Sequence, residues 1–141
     1  MDLRQLTPDL AVSPQIMPAD VPQLAEAGFK VLINNRPDSE VEPAIDHEVM
    51  ARAAEAVGMR YHYLPFQPGQ ITPDLISGFA DATVGRDPVI AYCRSGNRCT
   101  VLWALTQAGK RPEAEIFGIA AQAGYDLSPV QPLITSLAQR G

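Results

Sequence analysis

The sequence is poor in the residues that build metal sites and disulfide frameworks, with two cysteines and two histidines in 141 residues. Cys93 and Cys99 lie in one short segment, so a bond between them could not join distant parts of the chain. His47 and His62 form no zinc-binding spacing with these cysteines. We therefore expect no metal, and we assign the cysteines to chemistry rather than to cross-linking.

Long apolar runs and an excess of positive charge are also missing. Apolar runs such as residues 101–105 are far shorter than the roughly 20 residues that span a bilayer. With 11 basic and 16 acidic side chains the net charge is -5, which leaves no broad basic surface for nucleic acid or an anionic membrane. The first residues carry acids and prolines where a signal peptide would be apolar. These absences predict a cytoplasmic protein with neither nucleic-acid nor membrane partners.

The composition that is present, 46% hydrophobic and 19% charged, is typical of a globular protein, and we expect residues 1–141 to form one domain. Short β-rich runs alternate with helical patterns bounded by proline and glycine. This alternation predicts an α/β fold, a mostly parallel central sheet of four or five strands with helices on both faces and a helical carboxy-terminal third. The predicted strands are 10–12, 30–34, 60–66 and 88–92, the second and fourth being central, and the predicted helices are 18–28, 43–58, 72–84, 99–109, 112–124 and 128–139. In the second helix the predicted buried stripe is Ile45, Val49, Ala53, Ala56 and Val57.

The segment AYCRSGNRCT, residues 91–100, is the main candidate site because it joins a predicted strand to a predicted helix. Cys93 would lie at the carboxyl edge of the sheet, where loop N–H groups and the helix dipole attract negative charge. Together with Arg98 they should lower the pKa of Cys93 below about 8.5. We predict that Cys93 and Arg98 are catalytic, with Arg98 offering two-pronged contacts to an anion. The loop residues that we expect to bind substrate are Arg94, Ser95, Gly96 and Asn97.

Three further residues have a functional and a structural interpretation. Arg36 lies on the same predicted rim, and could contact substrate or belong to a turn. Asp74 could act as a general acid or stabilise a helix start. Cys99 could resolve an oxidised Cys93 or be a small buried thiol. No glycine-rich nucleotide fingerprint is present, so we expect no cofactor.

The residues CRSGNR resemble the active-site loop of rhodanese-type sulfurtransferases, although other rhodanese motifs are missing. From residues 12–40, YHYLPF, AYCRSGNRC and AGYDL, the chain is identified as a member of the beta-lactamase-hydrolase-like protein, phosphatase-like domain family. That resemblance implies a dual-specificity-phosphatase-like fold and a single phosphatase-like catalytic domain. It also implies relatives that occur alone or joined to a metallo-beta-lactamase-like or sulfide-oxidising partner enzyme.

Three departures from the phosphatase pattern bear on function. Four residues separate Cys93 from Arg98, whereas such phosphatases have five. Gln67 stands near the place of their general acid, and Cys99 stands where serine or threonine usually follows the arginine. A shorter loop suits a smaller group on sulfur.

We therefore place sulfane-sulfur transfer through a Cys93 persulfide first, with a small anionic or persulfide substrate and an acceptor thiol. Hydrolysis of phosphate monoesters through a cysteinyl-phosphate is the alternative. A non-catalytic oxyanion or partner-binding module is third.

Overall fold

One five-stranded sheet forms the centre of the protein in the computed structural model, which describes residues 1–140. The strands are β1 (Arg4–Thr7), β2 (Leu10–Ser13), β3 (Val31–Asn34), β4 (Arg60–Tyr63) and β5 (Val89–Tyr92). Their order across the sheet is β1-β2-β5-β3-β4. The β1–β2 pair is antiparallel, and the other pairs are parallel. The predicted mostly parallel sheet is confirmed, with β5 in the middle and β3 beside it.

Helices connect the parallel strands and make up the carboxy-terminal third, as predicted. They are α1 (Val21–Glu26), α2 (His47–Ala56), α3 (Pro73–Thr83), α4 (Asn97–Gln107), α5 (Glu113–Gln122) and α6 (Gln131–Arg140), with short 3-10 turns at Pro18–Asp20, Asp38–Glu40, Pro43–Ile45 and Ser128–Val130. The Thr72 hydroxyl accepts a hydrogen bond from the Leu75 N–H at 3.1 Å, so the predicted cap of α3 is present. Within residues 1–140, no helix is long and apolar enough to cross a membrane.

The two faces of the sheet carry separate apolar clusters because neighbouring side chains along a strand point to opposite faces. One cluster contains Val89 and Ala91 of β5 together with Cys93, and it packs against the carboxy-terminal helices. The other takes Ile90 and Tyr92 and packs against α1 and α2. This alternation sends the Cys93 side chain to the face that α4 covers.

Several details differ from the sequence-based prediction. Strand β4 ends at Tyr63 rather than at residue 66. Strand β1 was not predicted, because only Leu6 among its four residues is buried. In α2 the fully buried residues are Met50 and Ala54, whereas Ala56 of the predicted stripe is exposed. The helix begins at His47 rather than at residue 43. Ala53 and Val57 of the predicted stripe do pack against the cluster, but the stripe left out Met50, whose long apolar side chain is fully buried.

Candidate active site

Cys93 lies immediately after β5, and its side chain is completely buried. The loop that follows turns back over the sulfur, so that the Gly96 N–H donates a hydrogen bond to Sγ at 3.1 Å. The backbone N–H groups of Ser95, Arg98 and Cys99 are also directed at the sulfur. Helix α4 begins at Asn97, so its positive end adds to the field of these groups. Backbone N–H groups of its own loop thus surround the sulfur, and binding of a substrate anion by this loop stays a prediction.

The pKa of Cys93 is lowered to about 5, first by a hydrogen bond from the Cys99 thiol and then by the backbone N–H groups, while burial opposes the shift. Cys99 responds in the opposite direction, because burial raises its pKa well above the usual value of a thiol. Cys99 therefore keeps its proton and acts as the donor, and Cys93 is a thiolate at neutral pH.

The shape of the loop depends on Gly96, whose φ of 90° is in the left-handed region. A Cβ at this position would lie 2.2 Å from the hydroxyl oxygen of Tyr125. That hydroxyl donates a hydrogen bond to the Ser95 carbonyl at 2.9 Å. Tyr125 thus packs directly on the loop and fixes the position of its carbonyl, which leaves the N–H groups free to face Cys93.

Arg98 is held by a carboxylate from a distant turn. Its Nη1 and Nη2 donate to the two oxygens of Glu40 at 2.8 and 2.7 Å, and Nη1 also donates to the Phe66 carbonyl at 2.8 Å. The hydrogen bonds that Arg98 donates to Glu40, followed by the negative charge of Cys93, raise the pKa of Arg98. The hydrogen bond from Arg98 lowers the pKa of Glu40. The pair joins the Asp38–Glu40 turn to the nucleophile through one guanidinium.

Arg36 also contacts the Asp38–Glu40 turn. Its Nη2 donates to the Glu40 carbonyl at 3.1 Å and its Nη1 to the Gln15 side chain at 3.0 Å, while Nε lies 3.4 Å from a Glu40 carboxylate oxygen. Asp38, at the start of the turn, accepts from the backbone N–H of His47 at 2.9 Å. The structure therefore gives Arg36 a positioning contact with Glu40, and its predicted contact with substrate stays a prediction.

An open pocket of about 550 Å³ lies over the loop. Its wall combines loop residues with apolar side chains of the β4–α3 connection, α4 and the Ser128–Val130 turn. The lining residues are Glu40, Phe66, Pro68, Gly69, Ile71, Arg94, Ser95, Asn97, Arg98, Val101 and Val130.

Four of the predicted site residues, Arg94, Ser95, Asn97 and Arg98, line this pocket, whereas Gly96 is buried and is not part of the lining. Asp74 does not line it; this residue is exposed in the first turn of α3. Its role as general acid stays a prediction, as does a resolving role for Cys99.

Glu40 and Tyr125 are site residues that the sequence reasoning missed. Fifty-eight positions separate Glu40 from Arg98, and nothing in the spacing pairs them. A signal was nevertheless available, because Glu40 ends the segment of residues 12–40 and Tyr125 belongs to the AGYDL segment, both of which carried the family resemblance. A polar or aromatic residue in such a segment is a candidate site residue when it does not fit the apolar spacing of a strand or a helix.

A buried thiolate ringed by N–H groups and facing an arginine can attack an electrophilic centre that carries negatively charged oxygens. Solved structures of other proteins share the fold of this chain. In a crystal structure, a protein of Neisseria meningitidis described as a candidate phosphatase is 32% identical, with a TM-score of 0.83 over 97% of this chain and 99% of that one. The core catalytic domain of a PP-IP phosphatase from S. cerevisiae is 13% identical, with a TM-score of 0.67 over 96% and 92% of the two chains, which shows the fold alone.

A curated relative, the beta-lactamase hydrolase-like protein of Agrobacterium fabrum, is 34% identical over 121 residues. The match covers 84% of this chain and 28% of the relative, so the chain spans less than a third of the relative's length. The model of the beta-lactamase hydrolase-like protein, phosphatase-like domain, matches residues 2–110. The chain therefore belongs to the family of beta-lactamase hydrolase-like proteins, in their phosphatase-like domain.

Proposed function

We propose that the chain is a cysteine-dependent phosphatase that hydrolyses phosphate monoesters through a phosphoryl group held on Cys93. The observation that carries the proposal is the Cys93 thiolate in a ring of backbone N–H groups, with the Arg98 guanidinium beside it. This ring can hold the oxygens of a phosphoryl group while the sulfur attacks phosphorus. The family and the phosphatase-like solved structures support the same chemistry.

In the first step, the Cys93 sulfur forms a bond to phosphorus and the ester P–O bond breaks, so that the electron pair leaves with the ester oxygen. Loop N–H groups and Arg98 stabilise the charge on the phosphoryl oxygens. In the second step, water attacks phosphorus, the S–P bond breaks and the thiolate returns. Glu40 acts through Arg98, because its two oxygens fix the plane of the guanidinium.

Sulfur transfer, the first hypothesis from the sequence, rests on the four-residue spacing between Cys93 and Arg98. The phosphatase-like relatives support phosphoryl transfer better. The same ring of N–H groups would hold either a persulfide or a phosphoryl group, so an assay has to offer both kinds of donor. Thiosulfate with cyanide as acceptor serves as the sulfur-transfer arm.

The test is turnover of p-nitrophenyl phosphate by the unchanged protein and by two variants. Cys93→Ser should abolish turnover, since a hydroxyl is far less acidic than this thiol. Arg98→Lys should lower kcat/KM about 100-fold, because a point charge replaces directed hydrogen bonds. The exposed Arg86→Lys is the matched control and should leave the rate unchanged. An active Cys93→Ser variant, or sulfur transfer without ester hydrolysis, would overturn the proposal.

A further inference from the structure

Among the described residues that line the pocket over the Cys93–Arg98 loop, none is able to protonate a departing oxygen. Of its described lining residues, only Glu40 carries a carboxyl, and both oxygens of that carboxyl accept hydrogen bonds from Arg98. The same contact lowers the pKa of Glu40, so this side chain is an anion at neutral pH and has no proton to donate. The Ser95 hydroxyl and the Asn97 amide are far too weakly acidic to serve.

The connection between β4 and α3 does not supply the missing acid. It contributes Phe66, Pro68, Gly69 and Ile71 to the pocket wall, none of which carries a side-chain proton that could be transferred. Asp74 follows on α3, exposed and outside the wall. With this lining, an ester oxygen that leaves from phosphorus meets no side-chain acid, so its proton would come from solvent.

The wall where the leaving group would lie is apolar on one side. Phe66 and Ile71 come from the β4–α3 connection, Val101 from α4 and Val130 from the Ser128–Val130 turn. Such a wall favours an apolar group and excludes a strongly hydrated one. Arg94 and Arg98 in the same lining supply positive charge for the oxygens of a phosphoryl group.

We propose that the site selects phosphate monoesters of acidic, apolar alcohols, namely aryl phosphates, and discriminates against alkyl phosphates by the acidity of the leaving group. This inference rests on the proposed function and adds its substrate class. Cys93 sulfur attacks phosphorus, the P–O bond breaks, and the phenolate keeps the electron pair without help from an enzyme acid. Water then cleaves the S–P bond and releases inorganic phosphate.

The experiment measures kcat/KM for a series of aryl phosphates with phenols of increasing pKa, and for phosphoserine. We expect kcat/KM to fall steeply as the phenol becomes less acidic, and phosphoserine to be about 100-fold or more slower than phenyl phosphate, since that is the usual contribution of a general acid. Asp74→Asn should have the same slope as the unchanged protein. Asp81→Asn, an exposed acid on the same helix, is the matched control.

A second variant tests the apolar wall. Ile71→Ala should raise KM for phenyl phosphate about fivefold, through lost apolar contact, without changing inhibition by inorganic phosphate. Val84→Ala, an apolar side chain that is 80% exposed and outside the pocket, is its control. Phosphoserine turnover close to that of phenyl phosphate, a slope that steepens in Asp74→Asn, or an unchanged KM in Ile71→Ala would overturn the inference. Failure of the proposed function looks different, because p-nitrophenyl phosphate itself would then not be hydrolysed.

Discussion

The hydrogen bond from the Cys99 thiol to Cys93 is the largest cause of the low pKa of the nucleophile. We predict that Cys99→Ala raises the pKa of Cys93 from about 5 toward that of an ordinary thiol, because the alanine offers no donor. Below its pKa the sulfur is protonated and cannot attack, so the acidic limb of the activity profile should move to higher pH. The ultraviolet absorbance of the thiolate, followed against pH, measures the shift directly.

Cys99→Ser is the matched variant for this prediction, since a hydroxyl at the same position can still donate to the sulfur. Its thiolate titration should stay close to that of the unchanged protein. Identical titrations of the alanine and serine variants would show that Cys99 does not set the acidity of Cys93.

Glu40 contributes to stability as well as to the position of Arg98. The side chains of the pair are 25% and 15% exposed, and we predict that Glu40→Gln costs about 2 kcal/mol of unfolding free energy at neutral pH. Since the folded-state pKa of Glu40 is lowered, its contribution is present above the unfolded pKa and is lost as pH falls through the folded value.

Urea denaturation at neutral pH and again at a pH below the Glu40 pKa measures this dependence. The difference between Glu40→Gln and the unchanged protein should shrink at the lower pH. The control is Glu42→Gln, an exposed acid near the same turn. A cost that does not change with pH would mean that the carboxylate charge contributes nothing.

Strand β1 and the end of α5 act on the loop through Tyr125. The Arg4 guanidinium lies 5.2 Å from the centre of the Tyr125 ring and donates to the Ala123 carbonyl at 2.9 Å. The tyrosine hydroxyl in turn bonds to Ser95. A short edge strand that contributes one residue to the core thereby supports the nucleophile loop through Tyr125.

We predict that Tyr125→Phe lowers kcat about tenfold with a loss of about 1 kcal/mol of stability, because the Ser95 carbonyl loses its partner and the loop its fixed geometry. Tyr61→Phe removes a comparable hydroxyl, which is bonded to Asn34 at 3.2 Å. It should destabilise the fold without the tenfold effect. Equal kinetic effects of the two variants would reduce Tyr125 to a general packing role.

The strands and helices with strong local signals were predictable from sequence. β3 and β5 are runs of mainly apolar residues and are buried throughout, and Thr72 and Pro73 mark the start of α3 in the sequence. β1 was not, because its stability comes from pairing with β2 and from one buried leucine. The buried face of α2 was predicted in part, since Ala53 and Val57 pack against the cluster while the fully buried Met50 and Ala54 were left out of the stripe. The start of this helix depends on the cap at Asp46.

The part of the site that is continuous in sequence was predictable. The loop from Cys93 to Arg98 shows its strand–loop–helix setting in the sequence, and the structure brings these residues together. Glu40 and Tyr125 reach the loop only through the folded chain. Arg36 contacts Glu40 and does not line the pocket, and this placement also follows from tertiary contacts.

The sheet order explains where all these contacts meet. β3, β4 and β5 are parallel, so their carboxyl ends share one edge, where ligands bind in open α/β sheets. The Asp38–Glu40 turn, the β4–α3 connection and the Cys93–Arg98 loop follow these three strands in that order. Since the chain spans 28% of its Agrobacterium relative, the predicted partner enzyme and cytoplasmic location stay predictions.

The most direct test of the phosphatase proposal is to trap the intermediate. The protein is mixed with p-nitrophenyl phosphate, quenched in acid, and digested with trypsin. Arg94 and Arg98 separate the two cysteines, so Cys93 and Cys99 fall in different tryptic peptides. We predict a phosphoryl group on the peptide that ends at Arg94, none on the peptide that begins with Cys99, and none in Cys93→Ser. An unmodified Cys93 during active turnover, or phosphate on the Cys99 peptide, would contradict the assignment of Cys93 as the nucleophile.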